Sequence, residues 1–384
     1  MQQRYYSLDV FRGATVALMI LVNNPGSWKY IYDPLEHAPW HGCTPTDLVF
    51  PFFLFAVGNA MAFVMPRFEK AGPAAFWQKV IKRTLLIFGI GLFLHWSPFV
   101  KWSGSELVAK TWDQIRIFGV LQRIAVSYFF ASILVYYGKT RGAFYWGIVL
   151  LLLYWMLCLF FGTPGDPYSL EGYFGTQIDI AILGTNHMYK GEGVPFDPEG
   201  IASTLPAIVQ VVFGFLVGEY IQKKGKSFEM LAQLFVAGIV LTVAGFIWHE
   251  VFPINKKIWT SSYVLYTTGL AILTIGTLIY LIEFKERRGA WSKFFDVFGK
   301  NPLFIFVLSG FLPRVTALFR WVDHINEETG KPVYTSIFPW FYQNICKPIS
   351  DNPNNGSLFY AICIIVFYWA IGYWMDKKKI YIKV

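Results

Sequence analysis

The most regular feature of this 384-residue chain is a series of apolar runs separated by short polar segments. Each run approaches the roughly 20 apolar residues that an α-helix needs to cross a bilayer. Asp9 and Arg12 interrupt the first run, and Pro302 opens the ninth. The pattern predicts about ten transmembrane helices, at residues 8–24, 46–65, 80–96, 117–137, 143–161, 201–221, 229–248, 262–282, 301–318 and 358–375.

Composition agrees with a membrane protein, because 55% of the residues are hydrophobic and only 15% are charged. Soluble domains of ordinary composition carry about a quarter charged residues. The sequence has no linker and no internal repeat of the kind that builds transporter halves. We therefore expect an all-α, polytopic membrane protein that forms one domain over residues 1–384.

Lysine and arginine set the expected orientation. If the N-terminus is cytoplasmic, the cytoplasmic segments hold the larger share of these residues, as the positive-inside rule requires. This predicts that both termini are cytoplasmic and that residues 25–45, 162–200, 249–261 and 319–357 face the other side. The N-terminus has no cleavage site of the signal-peptide type, so we expect the first helix to be retained.

Several functional classes lose support from the motifs. The net charge of +9 lies mostly between apolar runs, and no nucleic-acid-binding motif accompanies it, so we expect no nucleic-acid partner. Walker, zinc-protease and serine-hydrolase motifs are absent from the sequence. Cys43, Cys158, Cys346 and Cys363 lie far apart, so we expect no metal site. Cys43 and Cys346 would share the outer side, which leaves one disulfide open.

The segment LEHAPWHGCTPTDLVFPFFLF, residues 35–55, places ionisable groups directly before an apolar run. Pro39 restricts the backbone near His37, whose imidazole could act as a base or accept an acyl group. Asp47 could cap the second helix together with Thr44 or Thr46, or could orient a histidine. Simple interfacial roles remain open for His37 and His41.

Two further sets of polar residues lie in or beside the apolar runs. Asp9 and Arg12 are three residues apart on one helical face, and either neutralise each other or bind a ligand. Asn23, at the end of the first run, could cap the helix or donate to an oxyanion. Arg116 and Arg123 in DQIRIFGVLQRI are seven apart and lie near Gln122. A buried arginine needs an anionic partner, so this stretch favours a functional cavity.

The outer segments supply candidate acceptor-binding residues. ILGTNHMYKGEGVPFDPEG, residues 182–200, contains His187, Asp197 and Glu199, whose acids could recognise a cationic amine or be solvated. PINKKIW, residues 253–259, adds Asn255, Lys256 and Trp259 as an edge on which a sugar could stack. Neither segment is specific by itself.

Seven blocks of sequence, in order, resemble the heparan-α-glucosaminide N-acetyltransferase family, in its shorter bacterial form. They are SLDVFRG, VNN at 22–24, HAPWHGCTPTDLVFPFFLFAVG, RIFGVLQRI, NHMY…FDPEGI, PINKKIWTSSYV and GKNPLFIF. The resemblance covers nearly the whole chain. The second histidine, His41, departs from the pattern of the animal enzyme, which leaves the acceptor specificity open.

The resemblance implies an enzyme that moves an acetyl group from cytosolic acetyl-CoA to a terminal glucosamine across the membrane. It assigns catalysis to His37 and Asn23, and we add Asp47 as the group that orients His37. We take Asp9, Arg12, Arg116, Gln122 and Arg123 as candidates for acetyl-CoA binding, on charge and depth. His187, Asp197, Glu199, Asn255 and Trp259 are the candidates for binding the amino-sugar acceptor.

Three functions therefore remain open on sequence alone. The first is an acetyl-CoA-dependent N-acetyltransferase in a bacterial inner membrane, with its active-site mouth facing the periplasm. The second is O-acylation of a cell-envelope polysaccharide, and the third is transport or flipping of a glycosidic solute. We expect lipid and glycan partners, while a homodimer is one of the oligomeric states left open.

Overall fold

A computed structural model describes residues 5–382, and helices dominate it. The helices are α1 Tyr6–Asn23, α2 Val49–Ala71, α3 Pro73–Trp96, α4 Val120–Phe161, α5 Gly175–Leu183, α6 Thr204–Lys224, α7 Phe228–Trp248, α8 Ser261–Ile279, α9 Ala290–Lys300, α10 Pro302–Thr316, α11 Ile337–Phe341 and α12 Pro353–Lys377. A helical membrane protein is confirmed.

The all-α prediction missed two short antiparallel hairpins. Strands β1 (Val100–Ser103) and β2 (Glu106–Ala109) form one, and β3 (Trp321–Ile325) and β4 (Pro332–Thr335) form the other. Gly104 and Gly330 take positive φ angles of 58° and 64° in the two connections, a conformation that glycine adopts without strain. Each hairpin lies in a connection between long helices, where strand patterns of four or five residues are hard to detect.

By length and composition, seven of the described helices could cross a membrane, or eight if the bent pair α9–α10 forms one span. The two members of that pair meet at an angle of 77°. α3 is not among the seven, because any stretch of it that is long enough to cross a membrane contains the three charged residues Lys79, Lys82 and Arg83. α4 is counted as one of the seven, although its backbone leaves the helical conformation at Lys139, where φ is 53° and ψ is −164°.

The chain reverses direction at this break in α4. Before it, Arg123 Nη2 donates to Gly200 O at 2.9 Å, next to the start of α6. Just after it, Thr140 Oγ1 donates to Glu219 at 2.5 Å, near the end of the same helix. Tyr154 OH then donates to Ile258 O at 2.5 Å, back at the first end of the bundle. A straight helix of 42 residues would be about 63 Å long, whereas these contacts place both ends of α4 at the same end of the bundle.

The bundle thus has two ends that are chemically different. We call one the His37 end, because Asn23, His37, Val49, Val120 and Lys256 line one cavity there. At the opposite end, Arg12 Nε donates to Gly299 O at 2.8 Å, and Ile382 N donates to Asn301 Oδ1 at 2.8 Å. The first and last described residues therefore lie at the opposite end.

Glycine permits a close helix contact in the core, between α2 and α6. A Cβ at Gly58 would lie 1.9 Å from Val211 O, and a Cβ at Gly214 would lie 2.1 Å from Phe55 O. Both distances are far inside van der Waals contact, so a side chain at either position forces the helices apart. This contact positions the start of α2, which carries part of the site described below.

We predict that Gly58→Ala or Gly214→Ala lowers the unfolding free energy by about 1–3 kcal/mol, the usual cost of overpacking a core. Gly89→Ala is the matched control, because a Cβ at that position in α3 meets no atom within 4 Å. Thermal unfolding in detergent measures all three. Equal stability of the Gly58 and Gly89 variants would contradict the close approach of α2 and α6.

Candidate active site

Asp47 is the buried centre of the segment that joins α1 to α2. It lies in a 3₁₀ turn, Pro45–Leu48, directly before α2, with a side chain only 1% exposed. Its Oδ2 accepts from Thr44 N at 3.0 Å and from Ala38 N at 3.0 Å. The Thr44 contacts form a capping box, so the capping role expected for Asp47 is present.

Asp47 also contacts His37. His37 Nδ1 lies 2.6 Å from Asp47 Oδ1, and the histidine side chain is 44% exposed. A carboxylate only accepts hydrogen bonds, so Nδ1 carries the proton and Nε2 keeps a lone pair in the neutral ring. The sequence left capping and histidine orientation as alternatives for Asp47. Both are present, because Oδ2 accepts the capping hydrogen bond from Thr44 N and Oδ1 contacts His37.

Lys256 completes a three-residue cluster that we call the His37–Asp47–Lys256 cluster. Its Nζ lies 3.0 Å from His37 Nδ1, 3.4 Å from His37 Nε2 and 3.5 Å from Asp47 Oδ1. Burial lowers the pKa of Lys256, and Asp47 and Glu199 partly offset that effect. The site thus holds the Lys256 amine beside the His37 imidazole, where a positive charge on the lysine can stabilise negative charge on a bound ligand.

The sequence identified Lys256 as part of a sugar-binding edge and not as a neighbour of His37. The residues are separated by 219 positions, so only the fold brings them together. Only an indirect indication of this contact is present in the sequence. Lys256 follows Asn255, which is fully buried and accepts from Ile258 N at 3.1 Å, and this turn directs the lysine toward the cluster.

A cavity of about 390 Å³ opens over the cluster. It contains the predicted catalytic residues His37, Asn23 and Asp47 together, with Asn23 exposed at the end of α1. Aromatic and charged side chains complete the wall: Trp28, Trp40, Phe50, Phe53, Arg116, Tyr189, Glu192, Glu199, Lys257, Trp259 and Phe306. We call this space the main cavity.

Arg116 links the main cavity to the 182–200 segment. Its guanidinium donates to Asp197 through Nε at 3.0 Å and pairs with Glu199, and it lies 4.8 Å from the centre of the Tyr189 ring. Burial alone would raise the pKa of Glu199, but the charges of Arg116 and Arg123 outweigh it and hold that pKa below its usual range. Arg116 therefore has two protein carboxylates as partners.

Arg123 and Gln122 have different surroundings. Arg123 is fully buried, bonds to Gly200 O and Ser203, and lies 5.2 Å from the Trp259 ring, so it ties α4 to the start of α6. Gln122 is also fully buried, but it lines a second cavity, which also contains His95 and Arg314.

The predicted acceptor-binding residues divide into two groups. Glu199 and Trp259 line the main cavity. His187, Asp197 and Asn255 lie behind its wall: His187 Nδ1 contacts Ile115 O at 2.7 Å, and Asn255 Nδ2 lies 3.3 Å from His41 Nδ1. Asp197 accepts from Arg116 and from the backbone N of Tyr189 and Glu199.

Asp9 and Arg12 lie at the opposite end, in a separate cavity of about 260 Å³. Arg12 Nη2 pairs with Asp9 Oδ1 at 2.7 Å, which is one of the two alternatives that the sequence left open. Arg12 precedes Asn23 by eleven residues of α1, or about 16 Å along the axis. The structure therefore does not bring the five predicted acetyl-CoA residues into one cavity.

The disulfide left open between Cys43 and Cys346 is not formed. All four cysteines are free thiols, and Cys346 interacts with the thiol of Cys363. Burial, followed by the nearby charge of Asp47, raises the pKa of the Cys43 thiol to about 12, so it is a poor nucleophile at neutral pH.

The fold and the cavity define a helical membrane protein with a histidine–carboxylate pair and a lysine at one end of its bundle. The chain belongs to the heparan-alpha-glucosaminide N-acetyltransferase (catalytic) family, whose profile matches residues 4–245. It is 26% identical to the heparan-alpha-glucosaminide N-acetyltransferases of Mus musculus and of Homo sapiens, over 99% of this chain. The chain spans 60% of the length of each of these relatives.

Proposed function

We propose that the chain is an acetyltransferase that moves an acetyl group from acetyl-CoA to the amine of an amino sugar. The observation that carries the proposal is the hydrogen bond between His37 Nδ1 and the buried Asp47 carboxylate, which leaves Nε2 as the basic nitrogen in the main cavity. Family membership and the names of the two relatives support the reaction class.

The residues support a stepwise acyl transfer. In the direct route, the nitrogen of the neutral acceptor amine attacks the thioester carbonyl, and His37 Nε2 takes one proton from that nitrogen. Asn23 and Lys256 stabilise the oxyanion of the tetrahedral adduct. The C–S bond then breaks, and the CoA thiolate receives the proton from His37. In the second route, His37 Nε2 attacks the thioester carbonyl, the C–S bond breaks and the CoA thiolate leaves. The amine then attacks the acetyl carbonyl, the bond between that carbon and Nε2 breaks, and the proton lost by the amine neutralises the thiolate.

The structure narrows the candidates for contacts with acetyl-CoA. Phosphate groups prefer arginine and lysine side chains whose charge is not already balanced. Arg116 pairs with Asp197 and Glu199, and Arg123 bonds to the start of α6, so we infer that both shape the cavity. Arg12 is itself paired with Asp9, and it stays a candidate by position alone, because it lies at the opposite end, where a cytosolic nucleotide would enter.

The contacts in the bundle support ten membrane crossings. Residues 120–138 and 140–161 of α4 run in opposite directions, and α3 is 24 residues, or about 36 Å, long. α3 runs from Trp77, which contacts Tyr137 beside the α4 break, to His95, which contacts Arg116. Adding α1, α2, α6, α7, α8, the α9–α10 pair and α12 gives ten.

The distribution of lysine and arginine supports a cytoplasmic location for the opposite end of the bundle. Basic residues cluster there, at Arg67, Lys70, Lys79, Lys82, Arg83, Lys139, Arg141, Lys223, Lys224, Lys226, Lys285, Arg287, Arg288, Lys293, Lys300, Lys377, Lys378 and Lys379. We therefore propose a bacterial inner-membrane location, with both termini cytoplasmic and the main cavity open to the periplasm.

Cysteine labelling with a membrane-impermeant maleimide tests the orientation directly, in a variant that lacks the four native cysteines. Lys29→Cys, at the His37 end, should react in intact cells. Lys285→Cys, at the opposite end, should react only after the membrane is permeabilised. The reverse result would overturn the orientation, and with it the proposed cytosolic entry of acetyl-CoA.

We predict that His37→Ala lowers kcat/KM for acetyl transfer by about 100- to 10,000-fold, the usual contribution of a general base. The assay uses purified protein, labelled acetyl-CoA and either glucosamine or a hydroxyl acceptor of matched structure. His41→Ala is the matched control, since His41 does not line the main cavity and should retain activity. Unchanged transfer by the His37 variant would remove this residue from the mechanism.

The same assay separates the competing functions. Preference for the hydroxyl acceptor over glucosamine would indicate O-acylation. Solute flux in proteoliposomes without acetyl-CoA, together with no thioester turnover, would indicate a transporter.

Lys256→Met should lower kcat roughly 10- to 1,000-fold, because it removes the cation that we assign to the oxyanion. Lys257→Met is the comparison, since Lys257 Nζ pairs with Glu192 at 2.8 Å rather than with the His37–Asp47 pair. We expect the Lys257 variant to change KM more than kcat. Equal losses of kcat in both variants would argue against a specific catalytic role for Lys256.

A further inference from the structure

A cavity of about 550 Å³ lies at the opposite end of the bundle, away from the main cavity. It occupies the space between the chain reversal of α4 at Lys139 and the last turns of α2 and α6. Among the described residues, it shares no lining residue with the main cavity. We call it the α4 cavity, and its lining includes Ala62, Met65, Glu69, Lys139, Thr140 and Glu219.

The lining of the α4 cavity has an apolar part and a polar part. Met65, Val135 and Phe215 are buried members of the helical core, and they form the apolar part. Glu69 and Lys139 are exposed at the edge of the cavity and belong to the polar part. A ligand that fits this lining has an apolar portion as well as a charged or polar portion.

The α4 cavity lies where the surface of the bundle changes from apolar to charged. On α2, the exposed Val64 is followed within two turns by Arg67 and Glu69. On α4, the exposed ring of Tyr137 is followed by Lys139. In a membrane-spanning bundle, such a change marks the headgroup region of the bilayer. This position favours a membrane lipid as the ligand.

The charged residues of the lining form two ion pairs and carry no net charge. Lys139 Nζ pairs with Glu69 Oε1 at 2.7 Å, and Lys223 Nζ pairs with Glu219 Oε1 at 2.8 Å. Exposed pairs of this kind contribute little stability, so a ligand can replace one partner at small cost. Two charges of each sign complement a zwitterionic ligand better than an anionic one.

Two hydrogen-bond acceptors in the lining suit a primary ammonium group. Pro66 lies inside α2 and has no N–H, so Ala62 O lacks its helical donor. Glu219 Oε2 accepts from Thr140 Oγ1 at 2.5 Å, and a carboxylate has about four lone-pair sites, so it can accept further hydrogen bonds. A quaternary ammonium has no N–H, so these acceptors discriminate between two headgroups of equal charge.

We propose that the α4 cavity binds a phospholipid whose zwitterionic headgroup carries a primary ammonium, as in phosphatidylethanolamine. The ammonium donates to Glu219 and to Ala62 O, and the phosphate diester accepts from Lys139 and Lys223. The start of the acyl chains packs against the apolar part of the lining. The proposed orientation assigns this lipid to the cytoplasmic leaflet, but the binding depends neither on the orientation nor on acetyl transfer.

The wild-type protein tests the choice of headgroup. Purified, delipidated protein in detergent is titrated with phosphatidylethanolamine, phosphatidylcholine or phosphatidylglycerol of identical acyl chains. Native mass spectrometry measures bound lipid, and thermal unfolding measures stabilisation. Phosphatidylethanolamine should bind roughly ten- to a hundredfold more tightly than phosphatidylcholine, the usual effect of hydrogen bonds to a charged group. Equal binding of these two lipids would overturn the proposal.

Variants of the lining test the place of binding. Glu219→Gln should remove most of the preference for phosphatidylethanolamine, and Glu219→Asp should restore part of it. Glu229→Gln is the matched control, because Glu229 pairs with Lys224 Nζ at 3.1 Å and does not line the α4 cavity. A preference that survives in Glu219→Gln, or that is lost equally in Glu229→Gln, would overturn the proposal.

A second variant tests the phosphate contact and does not alter Glu219. Lys139→Gln should weaken the binding of phosphatidylethanolamine and phosphatidylcholine alike, because both lipids carry the same phosphate diester. Unchanged binding of both lipids in this variant would overturn the assigned contact and the proposal with it.

Other occupants of the α4 cavity would give different results. Phosphatidylglycerol has the phosphate diester but no ammonium, so tighter binding of this lipid than of phosphatidylethanolamine would indicate an anion site. Stabilisation by acetyl-CoA that is lost in Glu219→Gln would assign the cavity to the acetyl donor. Either result would overturn the proposal. Absence of acetyl transfer, with the lipid preference intact, would instead contradict only the proposed function.

Discussion

The candidate active site depends on one buried carboxylate, that of Asp47. A carboxylate removed from water is costly unless it is paired and hydrogen-bonded. Asp47 accepts hydrogen bonds from the backbone N–H groups of Ala38 and Thr44 and from His37 Nδ1. It also forms an ion pair with Lys256. Its backbone oxygen also accepts from Tyr263 OH at 2.5 Å, which ties the turn to α8. The same contacts that offset the burial cost therefore fix the orientation of His37.

A second charge cluster shapes the other wall of the main cavity. Arg116 holds Asp197 and Glu199 beside the bundle, and Glu199 is the member that lines the main cavity. Arg123 adds a second positive charge near Glu199, so two arginines face two carboxylates and this wall adds little net charge to the main cavity. The positive charge next to His37 in the main cavity comes from Lys256.

Much of the fold could be predicted from the sequence, because the apolar runs are long and each maps onto a helix. His37 and Asp47 are ten positions apart, so a local turn can join them, and the sequence included that contact as an alternative. Lys256 could not be placed, because its approach depends on the packing of α2 against distant helices. The same limit applied to Arg116 and Asp197, which were considered separately although they form one ion pair. Charge and depth group Arg12 with Arg116 in the sequence, but the length of α1 separates them in the fold.

The central claim is that His37 and Asp47 act as one unit in acetyl transfer. A double-mutant cycle with His37→Ala, Asp47→Asn and the double variant tests it most directly, with kcat/KM for acetyl transfer as the readout. The account predicts that the double variant is about as slow as His37→Ala alone, because Asp47 acts through the histidine. Losses that multiply, so that the double variant is slower by the product of the two single effects, would contradict it.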